Sequence, residues 1–187
     1  MWTKNARQRI SPALWAMLST VALMTTGCTM TQPGKPTQSM QDYVMEQLMS
    51  WPSLEDTERQ LQGAVDEIAT AAEGIVPGIR FTDRNGESGT SCGKGFEGTA
   101  AQARYLPDRV GEGATVSDAQ WAKIEAATRV AAAKVDARTA QLMKNAPGDH
   151  DVRFIGPGGS SIKIAYQANL VISGFTGCRL SEADRHR

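Results

Sequence analysis

The chain predicts an α+β fold: a two-layer sandwich with a mainly antiparallel sheet, a long helix on one of its faces and further helices before it. Three observations predict this. A small-residue helical repeat opens at Ser117 behind a capping signal. From Ile162 to Ile172 every even position is apolar, and the odd positions include Lys163, Gln167, Asn169 and Ser173, the period-2 signature of a half-buried strand. The loop Gly156-Pro157-Gly158-Gly159 has the chemistry of a hairpin connection, which makes the strands it joins antiparallel.

Taken in order, the first element is a leader. Lys4, Arg7 and Arg9 come before any acid, and the mostly apolar run Ala13–Met24 follows. A positive start, a short apolar run and then small residues is the layout of a secretory signal. The run is shorter than the ~20 residues needed to span a bilayer. Thr25-Thr26-Gly27-Cys28 resembles a lipobox, the processing signal of bacterial lipoproteins, with Thr25 where an aliphatic residue is usual. That resemblance implies removal of residues 1–27 and acylation of Cys28 by fatty chains such as palmitate. Two or more chains anchor stably, because each buried methylene contributes about 0.8 kcal/mol. The expected location is the outer face of the cell membrane, with the membrane reached through the lipid on Cys28. An ordinary secretory signal with an incidental cysteine is the alternative. Residues 28–39 hold Pro33, Gly34 and Pro36 among Thr and Gln and read as a flexible linker.

Residues 40–180 read as a single α+β domain, of ordinary size for one core. Met40 to Ser50 is a short amphipathic helix with Tyr43, Val44, Leu48 and Met49 near one face, ended by Trp51-Pro52. Ser53 caps a second helix, with Glu55 and Asp56 in its positive first turn. Leu54, Leu61, Val65, Ile68 and Ala72 recur in it at helical spacing. Ile79 to Thr82 is a short strand. Residues 83–98, with five glycines and Cys92, read as one long polar loop. Gln102 to Val110 reads as one strand, edge-like because Pro107 cannot donate to a ladder. The capping box Ser117-Asp118-Ala119-Gln120 starts the best helix. Trp121, Ile124, Thr128, Ala131, Val135 and Leu142 share its inner face, and the expected stop is Pro147-Gly148. Asp151 to Ile155 is a strand. The period-2 run after Ile162 is either one long strand or a two-residue hairpin near Ala168-Asn169, and the long strand is the preferred reading. Residues 181–187 read as a disordered polar tail.

Without Lys4, Arg7 and Arg9, 17 basic residues face 20 acidic ones. A nucleic-acid partner would call for a basic stripe, so none is expected. Cys28 is taken by lipid. Cys92 and Cys178 then form an even pair in a chain bound for an oxidising compartment, and they read as one disulfide. Two free thiols or a metal site are the alternatives, zinc being disfavoured because no histidine clusters with them.

The N-terminal Gly27-Cys28-Thr29-Met30, the loop Asp83-Arg84-Asn85-Gly86 with Cys92, the stretch Ser117 to Trp121 and the closing Ile172-Ser173-Gly174-Phe175-Thr176-Gly177-Cys178 together resemble the mycobacterial LppA/LppB/LppV lipoprotein family. The resemblance implies an exported, membrane-attached lipoprotein and supplies no catalytic residues.

Several stretches invite chemical readings. Ser160-x-x-Lys163 matches the nucleophile pattern of penicillin-recognising enzymes, but it lies at a strand start, where the two side chains point to opposite faces. Asp149-His150-Asp151 could be a base or a weak metal site, and a solvated turn is the plainer reading. The glycines at 156–159 precede a strand, so the helix N-terminus that binds phosphate is missing. Asp83 and Glu87 lack the ligand spacing of an EF-hand. No catalytic residue, cofactor or metal ligand is assigned. The expectation is a non-enzymatic binding or accessory protein whose partner is an envelope protein or a small molecule. A hydrolase built from Ser160, His150 and Asp151, or a carrier of a small apolar ligand, is the alternative.

Overall fold

The computed structural model describes residues 38–187. The leader, Cys28 and the linker up to residue 37 lie outside the described residues. The order is α1 (Gln38–Ser50), α2 (Leu54–Ile75), β1 (Arg80–Arg84), β2 (Ser88–Ser91), β3 (Gln102–Tyr105), β4 (Asp108–Glu112), α3 (Asp118–Lys134), β5 (Thr139–Ala146), β6 (Asp149–Ile155), β7 (Ser161–Tyr166), β8 (Leu170–Phe175) and α4 (Glu182–Arg185). All strand pairs are antiparallel. The sheet runs β1-β4-β8-β7-β6-β5, and β3, carrying β2 on its far side, pairs with the end of β8. The expected α+β sandwich is what forms.

One face of the sheet is apolar because strand side chains alternate. Val152 and Phe154 of β6, Ile162, Ile164 and Tyr166 of β7, and Leu170 and Ile172 of β8 all point to it. The inner stripes of α2 (Leu61, Val65, Ile68, Ala72) and α3 (Trp121, Ile124, Thr128, Ala131) complete this core. Ser53 and Ser117 cap these helices as expected, Ser117 in a full capping box with Gln120. Each fully buried Ile or Leu contributes roughly 1.5–3 kcal/mol. A smaller apolar cluster lies apart: Leu48 of α1, Ala101 and Leu180, with Trp51, Phe96 and the two cysteines packed on it. Cys92 and Cys178 are bonded there, with Cα atoms 5.9 Å apart.

Five expectations are corrected. The Ser117 helix ends at Lys134 rather than near Leu142, because Asp136 adopts φ 57°, a left-handed conformation that stops a helix. Thr139–Ala146 becomes an edge strand joined to β6 through Pro147-Gly148, which leaves Leu142 exposed rather than closing the helix. The run after Ile162 is two strands, not one. Tyr166 pairs with Leu170 and Ile164 with Ile172, so the connection is the three residues 167–169. Opposed residues share a face, so only an odd loop preserves parity across a hairpin: the unbroken parity excludes the two-residue hairpin but is shared by one long strand and by the three-residue hairpin that forms. Within the expected 83–98 loop, Ser88–Ser91 forms β2. The expected 102–110 strand is broken at Leu106-Pro107 into β3 and β4. Both halves pair with β8, so Pro107 marks a break inside the sheet rather than its edge. The tail holds α4, capped by Ser181. It is tied to α2 by Glu182 N–H donating to Glu55 Oε2 at 2.9 Å and Leu54 N–H donating to the Leu180 carbonyl at 2.9 Å.

A cleft floored by a buried arginine

β8 ends at Phe175, and the chain continues through Thr176-Gly177-Cys178 to Arg179. Three contacts fix this segment. The Arg179 N–H donates to the Gln102 carbonyl and the Gln102 N–H to the Arg179 carbonyl, both at 2.9 Å. The Cys178 N–H donates to the Gly158 carbonyl at 3.1 Å. Gly177 takes φ +65°, and a Cβ there would overlap the Gly158 oxygen and come within 2.5 Å of Ser160 N. Gly158, at φ +63°, is closed in the same way by the Arg179 guanidinium and the Trp51 ring. The glycines therefore let two backbone segments and an arginine occupy space that side chains would fill.

Arg179 is 2% exposed. Its Nε donates to Thr57 Oγ1 at 3.2 Å, Nη1 to the Cys178 carbonyl at 2.8 Å and Nη2 to the Pro157 carbonyl at 2.7 Å. The Trp51 ring covers its face at 5.0 Å. Among the described residues no carboxylate forms an ion pair with it, and burial pushes its pKa down to about 10. The contrast is Arg104, whose charge is held by Glu58 at 2.5 Å, which raises its pKa. Trp51 is itself held from behind: Arg185 donates to the Trp51 carbonyl at 2.6 Å and to the Met49 carbonyl at 3.1 Å. These carbonyls at the end of α1 carry partial negative charge and lack helical partners.

Arg179 opens onto a cleft of about 160 Å³ between the α1–α2 junction, the C-terminal end of α3 and the 157–160 turn. Gln60 and Thr57 form one wall, Pro157 and Ser160 another, and Lys134 and Asp136 stand at the rim. Both rim charges are already engaged, Lys134 with Glu67 at 2.7 Å and Asp136 with Arg138 at 3.0 Å.

The residues singled out from sequence fall in separate places. Ser160 lines this cleft, and its Oγ donates to the Pro157 carbonyl at 3.2 Å. His150 lies at the opposite end of the β6–β7 pair, level with Tyr166, whereas Ser161 is level with Ile155. Five strand residues separate the two levels, roughly 17 Å at 3.4 Å per residue. The hydrolase arrangement is therefore not assembled. Asp151 cannot join His150 either, because neighbours on a strand face opposite sides. Asp151 Oδ2 sits 3.9 Å from Lys163 Nζ. His150 is a core residue rather than part of a solvated turn. Its ring stacks on Trp121 at 4.8 Å and 9°, and its nitrogens contact Asp118 Oδ1 at 3.0 Å and Asn145 Oδ1 at 3.2 Å. It pins the start of α3 to the β5–β6 hairpin. Asp83 is drawn to Arg109 at 3.0 Å. Among the described residues no cluster of His, Cys, Asp and Glu could hold a metal ion, and no helix is long and apolar enough to cross a membrane.

Arg179 and Trp51 were not singled out from sequence. From sequence, Trp51 is only part of a helix stop. The available signal was the pattern Cys178-Arg179-Leu180, in which an arginine sits between two residues of types that are usually buried.

Two solved structures share the fold. A lipoprotein LppA from Mycobacterium tuberculosis has a TM-score of 0.62 at 20% identity, covering 80% of this chain and 92% of that one. A DUF4853-family protein from Actinomyces odontolyticus has a TM-score of 0.51 at 17% identity, covering 71% of each chain. No curated protein matches the chain. The LppA family, a lipoprotein family described as confined to pathogenic Mycobacterium, matches residues 30–182. That span takes in α1, α2 and α3, the whole sheet and the Arg179 cleft, and the chain belongs to the LppA lipoprotein family.

Proposed function

We propose that the chain is a lipid-anchored protein of the outer face of the cell membrane that binds a small ligand in the Arg179 cleft. One observation carries the binding role: a guanidinium 2% exposed, without a carboxylate partner among the described residues, at the floor of an open cleft. An unpaired buried charge costs several kcal/mol, and a fold that needed only stability would place an apolar side chain there. Family membership supports the lipoprotein part, and Cys28 is the acylation site this reading assigns.

Two measurements test it. Intact-mass analysis of membrane-bound protein is expected to find residues 1–27 gone and acyl chains added, and Cys28→Ala is expected to abolish acylation. An unacylated wild-type mass overturns the anchor. For binding, the full chain in detergent micelles is melted against a panel of neutral, anionic and cationic small molecules, since a ligand bound only to the native state raises the midpoint. The protective compounds are expected to lose their effect in Gln60→Trp, which fills the cleft from its exposed wall. Protection that survives this change places binding elsewhere and overturns the assignment.

A further inference from the structure

We infer that the Arg179 cleft recognises a carboxylate, presented edge-on to the guanidinium by a small organic acid or by a peptide C-terminus. This deepens the binding reading above and rests on it.

The argument begins with the donors. A guanidinium has five N–H groups. Among the described residues three are used, one each on Nε, Nη1 and Nη2. One N–H therefore remains on each terminal nitrogen, the number a single carboxylate accepts in a bidentate pair. The approach is also restricted. Trp51 covers the guanidinium face at 5.0 Å, so a ligand meets the plane of the group from its edge, the geometry a planar carboxylate matches.

Charge favours a monoanion. Arg179 is the one cation of the cleft not neutralised by a described residue, because Lys134 is held by Glu67. A phosphate dianion would bring a second negative charge into a site with one positive charge to meet it. Size sets the rest. About 160 Å³ is the scale of a cavity that holds a benzene ring, so the carboxylate and a few carbons enter while any longer chain leaves over Gln60. The Thr57 and Ser160 hydroxyls already point at protein atoms. Selectivity is therefore expected to lie in the headgroup more than in the tail.

The test is calorimetric titration of the full chain in detergent micelles with propionate, propionamide, inorganic phosphate, Ala-Ala-Ala and Ala-Ala-Ala amide. Propionate is expected to bind saturably and propionamide not to bind. Arg179→Lys is expected to weaken propionate by about tenfold or more, since an ammonium cannot make the bidentate pair. Arg179 is buried and its replacement can disturb folding, so Gln60→Glu is the second variant. It places a competing carboxylate on an exposed wall, and is expected to weaken propionate while leaving the near-ultraviolet dichroism unchanged. Ala-Ala-Ala binding more tightly than propionate, and only as the free acid, identifies a peptide C-terminus. Equal binding of the two acids identifies a free small acid. Propionamide binding as well as propionate, or phosphate binding more tightly, overturns the carboxylate assignment and leaves the cleft as a site for another class. No saturable binding of either acid also overturns it. If a neutral compound still protects through the cleft, the broader binding reading survives; if none does, both fall.

Discussion

Replacing both disulfide cysteines, Cys92→Ala with Cys178→Ala, probes how the fold is closed. The bond joins positions 86 apart in sequence, and the loop it encloses contains β3 through β8 and α3. Almost the whole sheet lies between its ends, so the cross-link restricts the unfolded chain on the scale of the entire fold. With the loop-entropy relation, closing 86 residues is worth roughly 4.5 kcal/mol at 25 °C. Losing two half-buried sulfur atoms from the cluster of Leu48, Ala101 and Leu180 adds ~1 kcal/mol. The assay is urea unfolding followed by tryptophan fluorescence, with wild type, wild type under reductant and the double variant side by side. At a slope of about 2 kcal/mol per molar urea, the midpoint is expected to fall by roughly 2–3 M, with reduced wild type and the variant close together. The native fold is expected to persist, because the main core of α2, α3 and β6–β8 does not include either cysteine. A midpoint shift below about 0.5 M at unchanged slope would refute the reasoning. A shift with a smaller slope carries a different meaning. The 92–101 segment, held otherwise by the Cys92 N–H to Ala101 carbonyl bond at 3.4 Å, would already be detached in the native state.

Other consequences follow from single residues. Phe154→Ala, at the centre of the core, is expected to lower stability by about 3–5 kcal/mol in the same assay, as large-to-small changes at fully buried positions do. Ser117→Ala removes the cap that accepts from Gln120 N–H, and the expected loss is about 1 kcal/mol. Gly177→Ala is expected to cost more than about 2 kcal/mol, because positive φ is combined with overlap against the Gly158 oxygen and Ser160 N; a melting temperature equal to wild type would contradict this packing. The Asp118 carboxyl is held below its ordinary 3.8 by the hydrogen bond from His150 and then by the Gly148 N–H. A depressed acid stabilises the fold above its unfolded value and loses that contribution as pH falls through the folded one. Thermal midpoints taken from about pH 6 to about pH 3 should therefore drop less steeply in Asp118→Asn than in wild type.

Which stretches could be read from sequence follows from the range of the forces that shape them. Helix starts were legible because caps are local: Ser53 and Ser117 bond to amides three residues away. The apolar sheet face was legible because burial of Ile162, Ile164, Tyr166, Leu170 and Ile172 follows from strand alternation. Helix ends and strand breaks were less so. The helical spacing of Leu142 with Val135 and Ala131 is real, but the residues after Asp136 gain more from pairing with β6 than from another two turns. Leu106-Pro107 reads as a strand interior until β8 is seen pairing on both sides of it. The tail at 181–187 is polar and looks unstructured, yet Glu182 and Arg185 find their partners on α2 and at the end of α1, more than a hundred residues earlier.

The sequence by itself determined the pairing candidates Cys92 and Cys178, the α+β class and the family, and it raised the expectation of export and acylation at Cys28, which lies outside the described residues. The cysteine pair and the class rest on composition, local capping or a period along the chain, and the family on a resemblance of short motifs. Only the tertiary structure decided where chemistry can gather. It separated Ser160 from His150 along one strand pair, and it turned His150 into a packed link between α3 and a hairpin. It also brought Trp51 and Thr57, Pro157 and Arg179 together from three separate stretches of the chain. No local pattern encodes that meeting, because the charge on Arg179 becomes costly, and so informative, only once the fold has excluded water and placed no carboxylate of the described residues beside it.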